Sequence, residues 1–284
     1  MDYEFVRHTD TPENILRYST FLSAPFVTSS NYVDRARAST QYLRWQYFCN
    51  PVGSVIGYSA LYKGEIVAHF SNIPVRYCIN GTICKSLLAL NLVTHPEHRG
   101  RGLFIEMAER SFGDAFSEGF EYIGGVANQN STHGLVNRLG FDLVAPLEIR
   151  AGYGDVPIDR KADYHFRTLW DEESLHWRLA NPSARYFLSK GEYVVAATGK
   201  YGVMAQVRHL DGGEAFFTGL PSISNRLRVW MGLARRTKKL TTHIRLPRHL
   251  RPVPLNFILK SLRGERVIPD PRDVLFELID FDAY

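Results

Sequence analysis

The stretch LLALNLVTHPEHRGRGLF, residues 87–104, decides how this sequence is interpreted. It starts as an apolar run of strand length and passes through Arg99-Gly100-Arg101-Gly102 into apolar residues with helical spacing. A strand that leads through a glycine turn into a helix suits an anion, because the first N–H groups of the helix are unpaired and the helix dipole is positive there. The pattern therefore predicts a phosphate site at the start of the helix.

The composition indicates a globular protein with room for two domains. The chain has 284 residues, 45% of them hydrophobic, and no apolar run near the ~20 residues needed to cross a bilayer. The N-terminal residues lack the basic and apolar regions of a signal peptide, so we expect a cytoplasmic protein without a membrane partner. Cys49, Cys78 and Cys84 have no metal-ligand spacing, which predicts buried free thiols and no metal site.

The positive charge is concentrated in one region. The net charge is +5, and residues 215–264 contain eleven Lys or Arg and no Asp or Glu. Such a region attracts an anionic substrate, a membrane surface or nucleic acid, or it is a solvated face. A helix predicted at Asn225–Lys239, together with three later arginines, could bind the phosphates of an acceptor. The residues concerned are Arg226, Arg228, Arg235, Arg236, Lys238, Lys239, Arg245, Arg248 and Arg251.

The predicted elements of the first half follow the order strand, two helices, four antiparallel strands, helix, strand, helix and strand. The helices are expected at residues 12–22, 31–48, 103–117 and 128–139. The strands are expected at residues 3–7, 55–62, 65–70, 75–79, 82–93, 121–126 and 142–149. Hairpin turns at Lys63-Gly64 and Asn80-Gly81 connect the antiparallel strands, the last of which leads into the glycine turn.

Three separated motifs resemble the GCN5-related N-acetyltransferase (GNAT) superfamily. They are Arg99-Gly100-Arg101-Gly102-Leu103-Phe104, Asn128-Gln129-Asn130-Ser131 and Leu139-Gly140-Phe141. In the first motif, Arg99 and Gly102 match the pyrophosphate signature of the superfamily, whereas Phe104 replaces its final small residue. The resemblance covers roughly residues 1–150 and implies an α/β (α+β) fold with a central mixed, mostly antiparallel sheet.

The resemblance implies an acyl-CoA N-acyltransferase that uses acetyl-CoA or a short acyl-CoA as co-substrate. The pyrophosphate would bind beside Arg99 on the amides of Gly100, Arg101, Gly102, Leu103 and Phe104. The backbone of Leu92 and Val93 would bind the pantetheine arm, and Asn128 or Asn130 would reach the far side of that arm. The alternative for each Asn is a turn or a helix cap.

The resemblance leaves the proton donor and the base open. Val136 stands where many members of the superfamily carry a Tyr, and no carboxylate occurs in residues 85–93. His133 lies one helical turn before Val136 and could act as the acid, and His69 lies on a strand near where an acceptor would enter. Either could instead be a surface or core histidine, in which case water relays the protons and catalysis depends on positioning.

The second half repeats the order of the first, which predicts an internal duplication. Leu175-His176-Trp177-Arg178, Asn181-Pro182 and Lys190-Gly191-Glu192 echo Leu43-Arg44-Trp45-Gln46, Asn50-Pro51 and Lys63-Gly64-Glu65. The second copy has no glycine turn in the corresponding region, residues 216–222. We therefore predict a GNAT domain with the acyl-CoA site at residues 1–151, a linker at 152–164 and a degenerate GNAT-like domain at 165–284.

Two-domain members of the superfamily that acylate nucleotide-linked amino sugars have a similar organisation. By that resemblance the acceptor is a small anionic amine, a nucleotide-linked (dTDP-type) 3-amino-3,6-dideoxy sugar of cell-surface polysaccharide biosynthesis. The alternatives are acylation of a peptide, a protein or another small amine, and a GNAT-fold module that binds nucleic acid. Nucleic acid is disfavoured because residues 215–264 have few interleaved aromatic residues and contain no nucleic-acid motif.

Overall fold

The computed structural model describes residues 2–24, 36–197, 204–210, 219–224, 226–235, 242–247, 255–266 and 268–281, with only the backbone of Gln129 and Asn130. These residues form a mixed α/β fold around one extended sheet of sixteen strands, which confirms the predicted fold class. Among the described helices, none has the length and apolar composition that crossing a membrane requires.

The described part of the chain has five α-helices, and seven strands lie in its first half. The helices are α1 (Pro12–Leu22), α2 (Thr40–Phe48), α3 (Leu103–Ser117), α4 (Gln129–Leu139) and α5 (Glu172–Leu179). The first seven strands are β1 (Glu4–Arg7), β2 (Ile56–Tyr62), β3 (Glu65–Ile79), β4 (Thr82–Thr94), β5 (Tyr122–Asn128), β6 (Asp142–Pro146) and β7 (Glu148–Tyr153).

The second half is built mainly of short strands. They are β8 (Phe166–Leu169), β9 (Tyr186–Ser189), β10 (Tyr193–Ala197), β11 (Met204–His209), β12 (Ser222–Ile223), β13 (Leu227–Leu233), β14 (His243–Arg245), β15 (Leu255–Ser261) and β16 (Val274–Glu277). Single turns of 3₁₀ helix lie at Pro96–His98, Pro271–Asp273 and Leu278–Asp280.

The helices of the first half cover both faces of its sheet. Successive side chains of a strand point to opposite faces. Leu88 and Tyr122 belong to a buried cluster that includes α1 and α2, whereas their neighbours Leu87 and Ile123 belong to a cluster with α3 and α4. The sheet is therefore the middle layer of three, with α1 and α2 on one side and α3 and α4 on the other.

Strand β3 is continuous, where two strands were predicted at residues 65–70 and 75–79. Proline cannot donate to a sheet ladder, yet Pro74 lies in the middle of β3. It is tolerated because β2 pairs with β3 only as far as Asn72 and β8 begins to pair at Arg76. In this gap between two partner strands, Asn50 Nδ2 donates a hydrogen bond of 2.7 Å to the carbonyl oxygen of Pro74.

The helix predicted at residues 31–48 is interrupted, because Ala36 and Arg37 are helical, a turn and a bend follow at Ala38 and Ser39, and helix α2 comes after them. The prediction started this helix at Asn31, and residues 31–35 lie outside the described residues. The helix begins at Thr40, because the Ser39 Oγ accepts a hydrogen bond of 3.2 Å from the backbone N–H of Tyr42 and caps the first turn.

The helix predicted at Asn225–Lys239 is wrong in its described part, which is strand β13. Arg228 and Trp230 are buried, while their neighbours Leu227, Val229 and Met231 are more exposed. This alternation has the period of a strand, and β13 pairs with β7, β11 and β16. The apolar spacing in this segment fits both periods, so sheet pairing decides between them.

The two halves of the chain exchange strands. β15, near the end of the chain, lies between β5 and β6 and is antiparallel to both. β7 directly follows β6 but pairs with β13 and β14 of the second half. Residues 148–153, predicted as the end of a first-half strand and the start of a linker, therefore belong to the sheet of the second half. The domain boundaries at 151 and 165 stay a prediction.

The repeated sequence pattern corresponds to a reciprocal contact between the halves. Trp45 Nε1 donates to the carbonyl oxygen of Trp177 at 3.0 Å, and Trp177 Nε1 donates to that of Trp45 at 3.1 Å. Their rings stack with centroids 5.0 Å apart. Asn50 and Asn181 each accept a hydrogen bond from the backbone N–H two residues later. Matching local structure at matching positions supports the predicted duplication.

We expect Trp45→Phe and Trp177→Phe each to lower the free energy of unfolding by about 1–3 kcal/mol, because each change leaves a partly buried carbonyl without its indole donor. The double variant should lose less than the sum of the two single losses, since both changes weaken one stacked pair. Urea unfolding followed by circular dichroism measures all three variants. Strictly additive losses would show that the two tryptophans are energetically independent.

Candidate functional site

The site forms where strands β4 and β5 part. They pair in parallel from Ser86 with Tyr122 to Ala89 with Gly125, and no pairing between them continues beyond those residues. A cavity of about 480 Å³ lies between the end of β4, the glycine turn and α4. It is lined by Leu92, Val93, Thr94, His98, Arg99, Gly100, Arg101, Gly102, Leu103, Phe104, Ile105, Asn128, Ser131 and Arg138.

A second cavity, of about 160 Å³, continues the first into the gap between the strands. The two share Leu92, Asn128 and Ser131, and the smaller one also reaches Asn91 and Gly125. We call the two together the donor cavity. Its shape is a wide mouth at the glycine turn and a narrow end between β4 and β5.

The glycine turn presents backbone N–H groups to the wide mouth. Gly100 and Gly102 have φ angles of 73° and 77°, which residues with a side chain rarely adopt. A Cβ on either residue would meet no atom within 4 Å. Gly102 is the N-cap of α3, and Glu106 makes the first helical hydrogen bond, to the Gly102 carbonyl oxygen at 3.1 Å. The earlier N–H groups of α3 have no partner within the helix, so the turn suits an anion.

Three arginines line the same mouth. Arg99 Nε donates to the carbonyl oxygen of Thr94 at 3.3 Å, and Arg101 Nη2 donates to that of Glu97 at 3.2 Å. Both side chains are thereby anchored beside the turn. Arg138, in the last turn of α4, lines the cavity from another element. The sequence motifs did not indicate Arg138, and its only signal in the sequence is that a basic residue precedes Leu139-Gly140. Three guanidinium groups favour a ligand with several negative charges.

Phe104, which departs from the pyrophosphate signature, is accommodated by α4. A Cβ on Gly134 would lie 3.1 Å from Phe104 Cε1, so the lack of a side chain at position 134 makes room for the ring. The large residue at the end of the signature is therefore packed between α3 and α4.

Strand β4 bulges at the narrow end of the donor cavity. Between the pairs Ser71–Leu90 and His69–Val93, β3 has one residue and β4 has two. Asn91 lies in this bulge with φ at 50°. A bulge bends its strand, which helps to carry β4 away from β5. The sequence motifs did not indicate it, and the only signal is the residue type, because Asn tolerates a left-handed backbone.

His69 lies in the core between β2 and β4. Its imidazole is fully buried and lies 3.0 Å from each of Tyr47 Oη, Ser59 Oγ and Ser71 Oγ. Burial lowers the pKa of His69 to about 3, so the ring is neutral and weakly basic near neutral pH. These facts favour the core alternative, and a direct catalytic role for His69 stays a prediction.

His133 and the two asparagines are placed by α4. His133 is exposed and is not among the residues that line the donor cavity, so its catalytic role also stays a prediction. Val136 packs against the α3 core. Asn128 lines the donor cavity and also caps α4, since its Oδ1 accepts from the Ser131 N–H at 3.0 Å. The side chain of Asn130 lies outside the described residues.

The predicted phosphate-binding arginines of the second half are largely engaged elsewhere. Arg228 is fully buried with its Nε 3.2 Å from Asp155 Oδ1, and Arg235 pairs with Asp273. Arg245 Nε lies 3.5 Å from a Glu148 carboxylate oxygen. The prediction of a helix with a basic face is therefore wrong for the described part of this region. Arg226 is exposed, and the members outside the described residues are Arg236, Lys238, Lys239, Arg248 and Arg251.

The cysteines are unpaired. Cys78 and Cys84 are buried as predicted, whereas Cys49 is exposed. Within the part of the chain that the structure describes, no three His, Cys, Asp or Glu side chains come together as a metal site.

A sequence model of the acetyltransferase (GNAT) domain matches residues 27–144. This part of the chain is therefore similar in sequence to acetyltransferase (GNAT) domains. It contains β4 with its bulge, the glycine turn, α3 and Asn128, so the domain match and the donor cavity coincide. The predicted enzyme class, an N-acyltransferase, is confirmed at the level of this domain. A search of curated proteins finds no match to the sequence.

Three solved structures share the fold over 92% of this chain, beyond the matched domain. A probable N-acyltransferase from Enterococcus faecalis V583 is 11% identical, with a TM-score of 0.60 and 72% of its chain covered. A GCN5-related N-acetyltransferase from Kribbella flavida is 12% identical, with a TM-score of 0.56 and 72% covered. Eis1 from Mycobacterium abscessus is 12% identical, with a TM-score of 0.54 and 74% covered. At these identities the likeness establishes the fold.

Proposed function

We propose that this GNAT protein transfers an acetyl or short acyl group from CoA to the amine of a small acceptor. One observation carries the proposal: a cavity at the glycine turn and a smaller cavity in the gap between β4 and β5 share Leu92, Asn128 and Ser131 in their linings. Arg99, Arg101 and the amides from Gly100 to Phe104 would hold the pyrophosphate. The backbone of Leu92 and Val93 would pair with the pantetheine arm as a neighbouring strand does.

The chemistry asked of the site is direct transfer. The neutral amine attacks the thioester carbonyl carbon, the C–N bond forms, the C–S bond breaks, and the amine proton is lost while the thiolate gains one. In this proposal water carries these protons, because His69 is a weak base inside the core and His133 lies outside the cavity lining. The side chains contribute by fixing the thioester at the narrow end.

The proposed acceptor is a nucleotide-linked (dTDP-type) 3-amino-3,6-dideoxy sugar. With this acceptor the protein would be a cytoplasmic enzyme of cell-surface polysaccharide biosynthesis. The ion pairs of Arg228 and Arg235 weaken the charge argument for this anionic acceptor. A peptide amine and other small amines therefore belong in the same experiment.

The test combines purified protein and acetyl-CoA with the nucleotide amino sugar, the same amino sugar without nucleotide, a peptide with a free N-terminal amine and a polyamine. Free thiol release and the mass of the acylated product are measured together. We expect amine-dependent thiol release with one acceptor class. Release that does not depend on any amine, or no release at all, would contradict the proposed function.

A further inference from the structure

We propose that Tyr47 is a positioning residue for acyl transfer. It holds Asn91, and through Asn91 the bulge of β4, at the narrow end of the donor cavity. This inference rests on the proposed function, because that end is where the thioester of a bound acyl-CoA would lie.

Tyr47 belongs to a closed ring of five buried side chains. Its Oη lies 3.0 Å from His69 Nε2, and His69 Nδ1 lies 3.0 Å from Ser59 Oγ. Ser59 Oγ lies 3.2 Å from His8 Nε2, and His8 Nδ1 lies 3.4 Å from Ser71 Oγ. Ser71 Oγ closes the ring by donating to Tyr47 Oη at 3.0 Å. All five side chains are at most 5% exposed.

One proton arrangement satisfies the whole ring. Each hydroxyl and each imidazole N–H donates to the next member and accepts from the previous one, since a neutral imidazole has one donor and one acceptor nitrogen. In this arrangement Tyr47 donates to His69, and its oxygen accepts from Ser71 and from Asn91, whose Nδ2 lies 2.7 Å away. Asn91 therefore connects the ring to the donor cavity, which it also lines.

The ring is suited to hold a position and not to exchange protons. Burial lowers the pKa of His69 to about 3 and lowers that of His8 well below its ordinary value, so both rings stay neutral near neutral pH. No charged side chain is a member of the ring, and its members are held by β2, β3, α2 and the residue that follows β1. The ring is therefore a rigid support behind the bulge.

The bulge needs such a support. Asn91 has a left-handed backbone outside the regular strand geometry, and the extra residue of a bulge is poorly paired. On the other side of β4, the pairing with β5 ends at Ala89, before the bulge. The amide of Asn91 bound to Tyr47 thus fixes a segment that the sheet itself holds weakly. Misplacement of a reacting group by ~1 Å can cost ~100-fold in rate.

The experiment compares Tyr47→Phe with Asn91→Gly, which keeps a backbone tolerant of positive φ but removes the tethering amide. We expect each variant to lower kcat about tenfold, while KM for acetyl-CoA changes less than twofold because the contacts at the glycine turn remain. The double variant should be no slower than either single variant, since both remove one tether. Circular dichroism verifies that the variants are folded.

Tyr18→Phe is the matched control. Tyr18 is another buried tyrosine, its ring lies 4.8 Å from the His8 ring and 5.2 Å from the His69 ring, and its Oη accepts from the Thr9 N–H outside the ring. This variant should keep the kcat of the native protein. An unchanged kcat in Tyr47→Phe, or an equal loss in Tyr18→Phe, would overturn the positioning role.

Failure of the proposed function is distinguishable from failure of this inference. Native turnover is measured first, and its absence with every acceptor counts against the proposed function. The inference is then decided by amide hydrogen exchange of residues 90–93 in the presence of acetyl-CoA. Exchange at least about tenfold faster in Tyr47→Phe than in Tyr18→Phe supports the tether, and equal exchange in the two variants overturns it.

Discussion

Gly102→Val is expected to lower the affinity for acetyl-CoA by ~30-fold or more, the largest binding effect that a single change in the donor cavity should produce. The φ angle of 77° at Gly102 is unfavourable for a β-branched residue, and a Cβ there would project into open space at the wide mouth. Both effects displace the amides that open α3. Losing one charge-assisted hydrogen bond of about 2 kcal/mol already corresponds to ~30-fold in affinity.

Gly81→Val is the matched control for the backbone effect. Gly81 has φ at 80°, a Cβ there also meets no atom within 4 Å, and the residue lies in the β3–β4 turn at the far end of β4. Both valine variants should lose similar stability. Calorimetric titration with acetyl-CoA should find weakened binding only in Gly102→Val. Equal affinity in the two variants would count against phosphate binding at the glycine turn.

The second large effect is a loss of stability in acid. The pKa of His69 falls from 6.5 to about 3 on burial, and that of His8 is lowered well below 6.5 by burial first and by His69 second. At these two histidines the unfolded chain therefore binds more protons than the folded chain between these values, whereas Glu277, whose pKa is raised by burial to about 7, has the opposite effect. The stability that the two neutral histidines contribute is complete above about pH 6.5 and is lost as the pH falls toward 3. For His69 alone the loss is about 4 kcal/mol.

His69→Gln separates this contribution from the other titrating groups. Urea unfolding should show that the native protein loses more stability between about pH 7 and pH 4 than His69→Gln does, since the contribution of Glu277 is the same in both. His133→Gln, which removes an exposed histidine, should follow the native profile. Parallel profiles for the native protein and His69→Gln would show that the His69 proton is not linked to folding.

Local sequence patterns predicted the elements that depend on local interactions. The glycine turn and helix α3 follow from residue types in sequence order, because positive φ and helical apolar spacing are properties of short segments. The same holds for the hairpin turn at Lys63-Gly64 and for helix α1, which was expected at residues 12–22. The residues proposed to bind the pyrophosphate lie together for this reason.

Features that depend on distant partners could not be predicted in this way. Strand β13 has apolar spacing that also fits a helix, and only its neighbours in the sheet select the strand. The exchange of β7 and β15 between the halves has no local signature. The ring behind Asn91 joins side chains from β2, β3 and α2 with His8, which follows β1. The role of Tyr47 therefore emerges only when these elements meet.

The central claim is that acyl-CoA binds along β4 and the glycine turn, and amide hydrogen exchange of the native protein with and without acetyl-CoA tests it most directly. We expect acetyl-CoA to slow the exchange of the amides at residues 92–93 and 100–104, while amides of the second half exchange at unchanged rates. Unchanged exchange at both β4 and the glycine turn, with protection elsewhere or nowhere, would contradict the claim.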